Sequence, residues 1–212
     1  MRTPRYPLIA LACFTAASAL AQTDFRKATW GMTVAQVMAT ESKPPAEVRE
    51  SNGETIVEYD SIKLAGLPGR AIYVFAKSKL ARAKYFFEVE HADENVFIAD
   101  FRAVEPLLRE TYGKPASERA IWEDDAFQDE PKSYLDQDRA SPANILPSDR
   151  FVGLSVSAGY LRLYTQWRTG RTKVLHALTG ENYQITHQIE YRSVKWETLD
   201  REVRQPGTRQ PQ

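Results

Sequence analysis

Between Tyr160 and Arg192 the chain alternates apolar and polar side chains almost without a break. A pattern of period two over this length demands antiparallel strands with one buried and one wet face. Thr169-Gly170 and Gly180-Glu181 offer two-residue turns, dividing the run into strands over Tyr160–Arg168, Arg171–Leu178 and Asn182–Arg192. One face then carries Leu161, Leu163, Thr165, Trp167, Val174, His176, Leu178, Tyr183, Ile185, His187, Ile189 and Tyr191. The other carries Tyr160, Arg162, Tyr164, Gln166, Arg168, Arg171, Lys173, Thr186, Gln188, Glu190 and Arg192, with Leu175 and Ala177 as its few apolar members. The first face needs a helical cover; the second meets water.

The rest of the chain supplies that cover. Thr33 and Gln36 stand three apart, as in a capping box, and open a helix with Val34, Val37 and Met38 on one face. Lys43-Pro44-Pro45 ends it. Strands follow at Glu54–Leu64, Arg70–Ala76 and Leu80–Glu90. A turn at Ser78-Lys79 predicts Ile72 and Val74 on the face of Ala83 and Tyr85, extended by Phe87 and Val89. A second helix over Asp93–Tyr112 places Phe97, Phe101, Val104 and Leu108 at helical spacing, with Pro106 expected to kink or divide it and Gly113 to stop it. A strand at Ser117–Glu123 comes next. The two helices end alike, Thr40-x-x-Lys43-Pro44 and Thr111-x-x-Lys114-Pro115. The fold class expected is α+β, helices packed on antiparallel sheet, as a divergent tandem duplication of a helix-then-strands unit. The units are 22–92 and 93–202, the second interrupted by a long polar loop at 124–150, and residues 203–212 form a disordered tail.

Residues 1–21 constitute a signal peptide. Arg2 and Arg5 make a positive start, Leu8 to Ala17 is too short to span a bilayer, and Ala19-Leu20-Ala21 is a small-x-small cleavage site. Its removal takes away Cys13, the single cysteine, and leaves 26 basic against 28 acidic residues with no transmembrane segment. The mature chain therefore has no disulfide, thiol nucleophile or Cys-bound metal. Its charge balance argues against nucleic acid as a partner. The compartment expected is the periplasm or the cell exterior.

Chemistry is sparse. No GxSxG, P-loop or GxGxxG occurs, and nothing selects a carboxylate pair, so no catalytic residue and no cofactor is assigned. His176 and His187 fall on adjacent strands as diagonal neighbours, a weak candidate for metal binding or a small active site against the simpler role of hydrogen-bonded core histidines. Asp124, Asp125, Asp129, Glu130, Asp136 and Asp138 crowd the long loop without the spacing of a calcium loop. The wet face of the last three strands is the better prospect. Arg162, Tyr164, Arg168, Lys173 and Arg192 lie on it together, combining contact area with charged donors.

The segment Phe25-Arg26-Lys27-Ala28-Thr29-Trp30-Gly31-Met32-Thr33-Val34-Ala35-Gln36-Val37 resembles the opening of a group of exported bacterial proteins of unknown function, which begin F-R-x-x-x-W-G-M-[ST]-x-x-x-V. Its Gly31-Met32-Thr33-x-x-x-Val37 part resembles the first helix of the SmpA/OmlA (BamE) outer-membrane assembly lipoproteins. Those share a helix-on-sheet fold with the β-lactamase inhibitor protein, itself a tandem duplication. The resemblance implies a helix layer on an antiparallel sheet and a role in binding. The lipidated cysteine of the SmpA/OmlA lipoproteins and the disulfides of the inhibitor are absent, and no functional residue carries over. The function expected is a non-catalytic periplasmic protein that binds an envelope protein or cell-wall component. Mass spectrometry of the exported protein should find Gln22 at its N-terminus; an intact Met1 or an acylated Cys13 would contradict the signal-peptide assignment.

Overall fold

A computed structural model describes residues 23–122 and 151–204. Residues 1–22, 123–150 and 205–212, on which the signal-peptide and long-loop expectations and most of the tail expectation fall, lie outside the described residues. The order is α1 (Val34–Thr40), β1 (Glu47–Ser51), β2 (Glu54–Leu64), β3 (Leu67–Ala76), β4 (Lys79–Phe87), α2 (Asn95–Tyr112), β5 (Ser117–Trp122), α3 (Val152–Ser157), β6 (Leu161–Arg168), β7 (Thr172–Glu181), β8 (Gln184–Ser193) and α4 (Glu197–Arg204). All eight strands join one antiparallel sheet in the order β1-β2-β3-β4-β8-β7-β6-β5. The architecture is α+β, as its periodicities predict. A helix followed by four neighbouring strands occurs twice, and the two meanders meet through their last strands.

Local chemistry explains most element ends. Thr33 accepts from the Gln36 amide at 3.3 Å while the Gln36 side chain accepts from the Thr33 amide at 2.9 Å, so the capping box is complete. Asp93 accepts from the Asn95 amide at the start of α2, and Gly113 closes that helix at φ 76°. Pro106 does not divide α2, which runs unbroken for 18 residues. Its ring sits on the exposed side, where the helix can bend toward water to accommodate it.

Four hairpins turn on two residues with both φ positive: Asn52-Gly53, Ala65-Gly66, Lys77-Ser78 and Asn182-Tyr183. This geometry matches the right-handed strand twist. Three turns differ from the sequence expectation. The β7–β8 turn is Asn182-Tyr183 rather than Gly180-Glu181, and the β6–β7 turn centres on Gly170-Arg171, closed by Thr169 N–H to Thr172 C=O at 2.8 Å. Both displacements shift the pairing by an even number of residues, so the predicted faces survive, apart from Arg171 and Tyr183, which lie in the turns. The β3–β4 turn is Lys77-Ser78, and a bulge leaves Ala81 unpaired between Val74/Arg82 and Phe75/Leu80. That odd shift puts Ala71, Tyr73 and Phe75 on the core face with Ala83, Tyr85 and Phe87, and moves Ile72 and Val74 to the outer face. Strand β1 and helices α3 and α4, none of them anticipated, complete the set; α4 continues through Val203 and Arg204.

Helices α1, α2 and α3 cover one face of the sheet over two adjoining apolar clusters, while α4 docks on the other face through Asp200 and Glu197. One surrounds Tyr73, Phe75, Val104, Trp167 and Tyr191; the other joins Phe97, Ile98 and Phe101 of α2 to Val152 and Val156 of α3 and Leu161, Leu163 and Leu178 of the sheet. Gly180 permits the closest approach, because a Cβ there would meet the Val156 carbonyl oxygen of α3 at 1.9 Å.

The Phe25–Thr33 segment is the clamp between the halves. Phe25 inserts its ring among Tyr73, Tyr85 and Tyr191, with centroids 4.8 to 5.2 Å away. Asp24 takes both the Trp30 amide and a two-pronged contact from Arg171 at 2.8 and 2.6 Å, and Trp30 Nε1 donates to Thr172 Oγ1 at 2.9 Å. Gly31, at φ 85°, lies against the Trp196 indole, where a Cβ would stand 2.7 Å from Nε1. Thr33→Ala should lower stability by about 1 kcal/mol, the usual cost of an N-cap, read as a fall in urea midpoint without a change in slope.

Candidate functional site

The outer face of β6, β7 and β8 holds two hollows that meet at Leu175. The larger, about 870 Å³, is lined by Arg162 and Tyr164 together with Tyr160, Thr186 and Gln188. The smaller, about 350 Å³, is lined by Arg168, Lys173 and Arg192 with Gln166 and Glu190. Parity brings the five predicted binding residues to one face, and the strand positions divide them into two groups.

The groups differ in electrostatics. Lys173 is gripped by Glu197 of α4 at 2.7 Å, and Arg192 binds Glu190 at 2.9 and 3.1 Å. The Lys173 ammonium and the charge on Arg201 hold the Glu197 carboxylate below its usual range. Burial works to raise Glu190, yet the Arg192 hydrogen bond and the charges of Lys84 and Arg82 keep it below the ordinary value. The basic patch expected around Arg168, Lys173 and Arg192 is therefore largely neutralised by acids of the same chain. In the larger hollow the described lining is mostly amide, hydroxyl and tyrosine, with Arg162 and Glu181 its charged members.

Beside this face lies a buried ion network. Arg82 of β4 binds Asp200 of α4 at 2.6 Å, Glu54 of β2, and Glu190 of β8 at 3.8 Å, while Arg204 reaches Asp200 at 3.0 Å. Its members are spread over the chain, and their sole sequence signal is a basic residue on the outer parity of a strand. A smaller acid–base cluster secures α1: Arg26 donates two bonds to Glu41, which also accepts from the Tyr73 hydroxyl.

The two candidate histidines do meet. His176 faces Ile189 across β7–β8 while His187 faces Leu178, making them diagonal neighbours. Their Nε2 atoms are 2.8 Å apart, and both side chains are buried at 0% and 1% exposure. Glu105 of α2 accepts from His176 Nδ1 at 3.0 Å. That bond orders the protons. A carboxylate can only accept, so His176 carries its proton on Nδ1 and offers a lone pair at Nε2; His187 then donates from Nε2. The Nδ1 of His187 is left as a buried acceptor with no hydrogen-bond partner. Phe101 stacks on His176 at 3.9 Å and Phe87 tilts over His187 at 4.2 Å. Burial lowers the basicity of His176 against the raising effect of Glu105, and burial plus its neighbour's charge pushes His187 down to about 2. The pair is neutral at ordinary pH. Among the described residues no cluster of three or more His, Cys, Asp or Glu is placed to hold a metal. No described helix is long and apolar enough to cross a membrane.

No protein-family model matches the chain, and neither a curated protein nor a solved structure matches it.

Glu105 supplies the acceptor for a buried imidazole N–H and also meets Arg109 at 3.4 Å. Glu105→Leu should therefore destabilise the chain by about 1–3 kcal/mol, the cost of stranding a buried donor, measurable as a lower urea midpoint. The charge works in the same direction: its carboxylate is held below the usual value, against burial, by the His176 and Thr165 hydrogen bonds. The stability it contributes is present above pH 4.5 and lost as pH falls through its depressed value.

Proposed function

We propose that this chain is an exported, non-catalytic binding protein, and that the larger hollow on the outer face of β6–β8 holds its ligand. The observation that carries the reading is chemical. An open depression of about 870 Å³ combines two tyrosines, Tyr160 and Tyr164, with Gln184, Gln188 and Thr186 and a single arginine, Arg162. Amides and hydroxyls donate and accept in equal measure, and tyrosine rings offer flat apolar faces with a polar tip. This set suits a polyhydroxylated chain better than a strongly acidic surface, since the nearby cations Lys173 and Arg192 already have carboxylate partners. Of the two partners considered, an envelope protein and a cell-wall component, the lining favours a cell-wall glycan. The signal segment at 1–21 supports delivery to the periplasm, and the likeness of Phe25–Val37 to exported proteins supports a role by binding.

Sedimentation with isolated peptidoglycan sacculi tests this. The mature chain should co-sediment, and Arg162→Ala with Tyr164→Ala should reduce the bound fraction at least about fivefold, since well-placed contacts each contribute about 1 kcal/mol or more. The unfolding free energy of the double variant, from urea melts, should stay within about 1 kcal/mol of the parent, because neither side chain is in the core clusters. Equal retention of parent and variant would remove the hollow as the site. Retention on envelope protein extract but not on sacculi would reassign the partner.

A further inference from the structure

We infer that the His176–His187 pair is an acid-operated latch between α2 and the sheet: uptake of a proton by the pair releases α2 and uncovers the core face. This goes beyond the proposed binding role and does not rest on it.

The geometry makes the pair one continuous link. Glu105 on α2 accepts from His176 on β7, and His176 accepts from His187 on β8. Phe101, also on α2, stacks on the His176 ring at 9° between planes. The link is built for two neutral imidazoles. A proton on His176 Nε2 would set two N–H groups against each other at 2.8 Å. A proton on His187 Nδ1 would preserve the hydrogen bonds but bury a cation at an atom that has no partner.

The surroundings supply little to offset that charge. From α2 come Glu105 and Arg109, the latter shared with Glu118 of β5. From β6 comes the hydroxyl of Thr165, and from β4 the ring of Phe87. The neighbours on β7 and β8 are Leu178 and Ile189, and the buried hydroxyls of α3, Ser155 and Ser157, are bonded to carbonyls of Phe151 and Leu154. Glu105 is the acid in contact, and it serves His176. One turn earlier on α2, Asp100 binds His91 at 2.6 Å, a separate titratable pair that the experiment must distinguish.

Undocked, both imidazoles regain ordinary basicity near 6.5; docked, burial holds both below it. The undocked form therefore binds more protons, and docking weakens as pH falls through about 6.5. Helix α2 yields first, because it meets the sheet through side chains while the strands are tied by backbone ladders.

Hydrogen exchange of the mature chain from pH 7.5 to pH 5 tests the latch. Protection of α2 amides, corrected for intrinsic exchange, should fall about tenfold per pH unit below 6.5 for each proton taken up, with β2–β4 unchanged. His187→Phe, which keeps a ring against Phe87, should flatten the α2 response, and His91→Gln should leave it intact. Constant α2 protection in the parent, an equal fall in His187→Phe, or a fall shared by β2–β4 would overturn the latch. Should His187→Phe not fold, imidazole nitrogen resonances of the parent decide: His187 must gain its second proton over the range in which α2 loosens, and failure to do so sinks the proposal.

Discussion

The seam between β4 and β8 is the constraint on which the rest of the molecule depends. Five residue pairs, from Arg82/Arg192 to Phe86/Gln188, join two four-stranded meanders into one sheet. Side chains on both faces brace that seam. On the core face Tyr85 and Tyr191 meet across it, and Phe25 seats its ring between them. On the outer face the register sets Arg82 opposite Arg192, two like charges that would repel. Glu54, Glu190 and Asp200 close around Arg82 and make the juxtaposition tolerable. A buried arginine with its acids removed would be an uncompensated charge, so the network is strongly coupled to the seam whatever its net contribution to stability.

That network bears on binding as well. Carboxylates recruited to steady the seam and dock α4 also match the cations at one end of the outer face. Glu190 and Glu197 hold Arg192 and Lys173, whereas the larger hollow beyond Leu175 is lined mostly by amides, hydroxyls and tyrosine. The surface is thus divided by the needs of the fold: a structural end under α4 and a candidate binding end near the β7–β8 turn. The histidine pair lies on the opposite face of the same strands, so the two features are separated by the thickness of the sheet.

Much of this was legible in the chain itself. The alternation over Tyr160–Arg192 placed His176 and His187 inside and Arg162, Tyr164, Arg168, Lys173 and Arg192 outside, even though both turns were displaced, because an even shift preserves every face. The same reasoning failed at Ile72 and Val74, where Lys77-Ser78 forms the turn and Ala81 bulges. Neither residue pair carries the glycine or asparagine that announces a turn with positive φ. Asn52-Gly53 does carry it, and would have revealed β1. Helix α4 escaped notice because its eight residues bury Asp200 instead of an apolar stripe.

Local chemistry alone therefore determined helices α1 and α2 with the Thr33 cap and the Gly113 stop, the faces of β6–β8 and the α+β class, since each depends on residues a few positions apart. Tertiary structure decided the rest. Pairing of β4 with β8, burial of Arg82 among acids from three elements, and the ordering of protons from Glu105 through His176 to His187 all join residues distant in sequence. The physical reason is that charge pairing and buried hydrogen bonds are set by distance in space, and no periodicity along the chain encodes which distant group arrives.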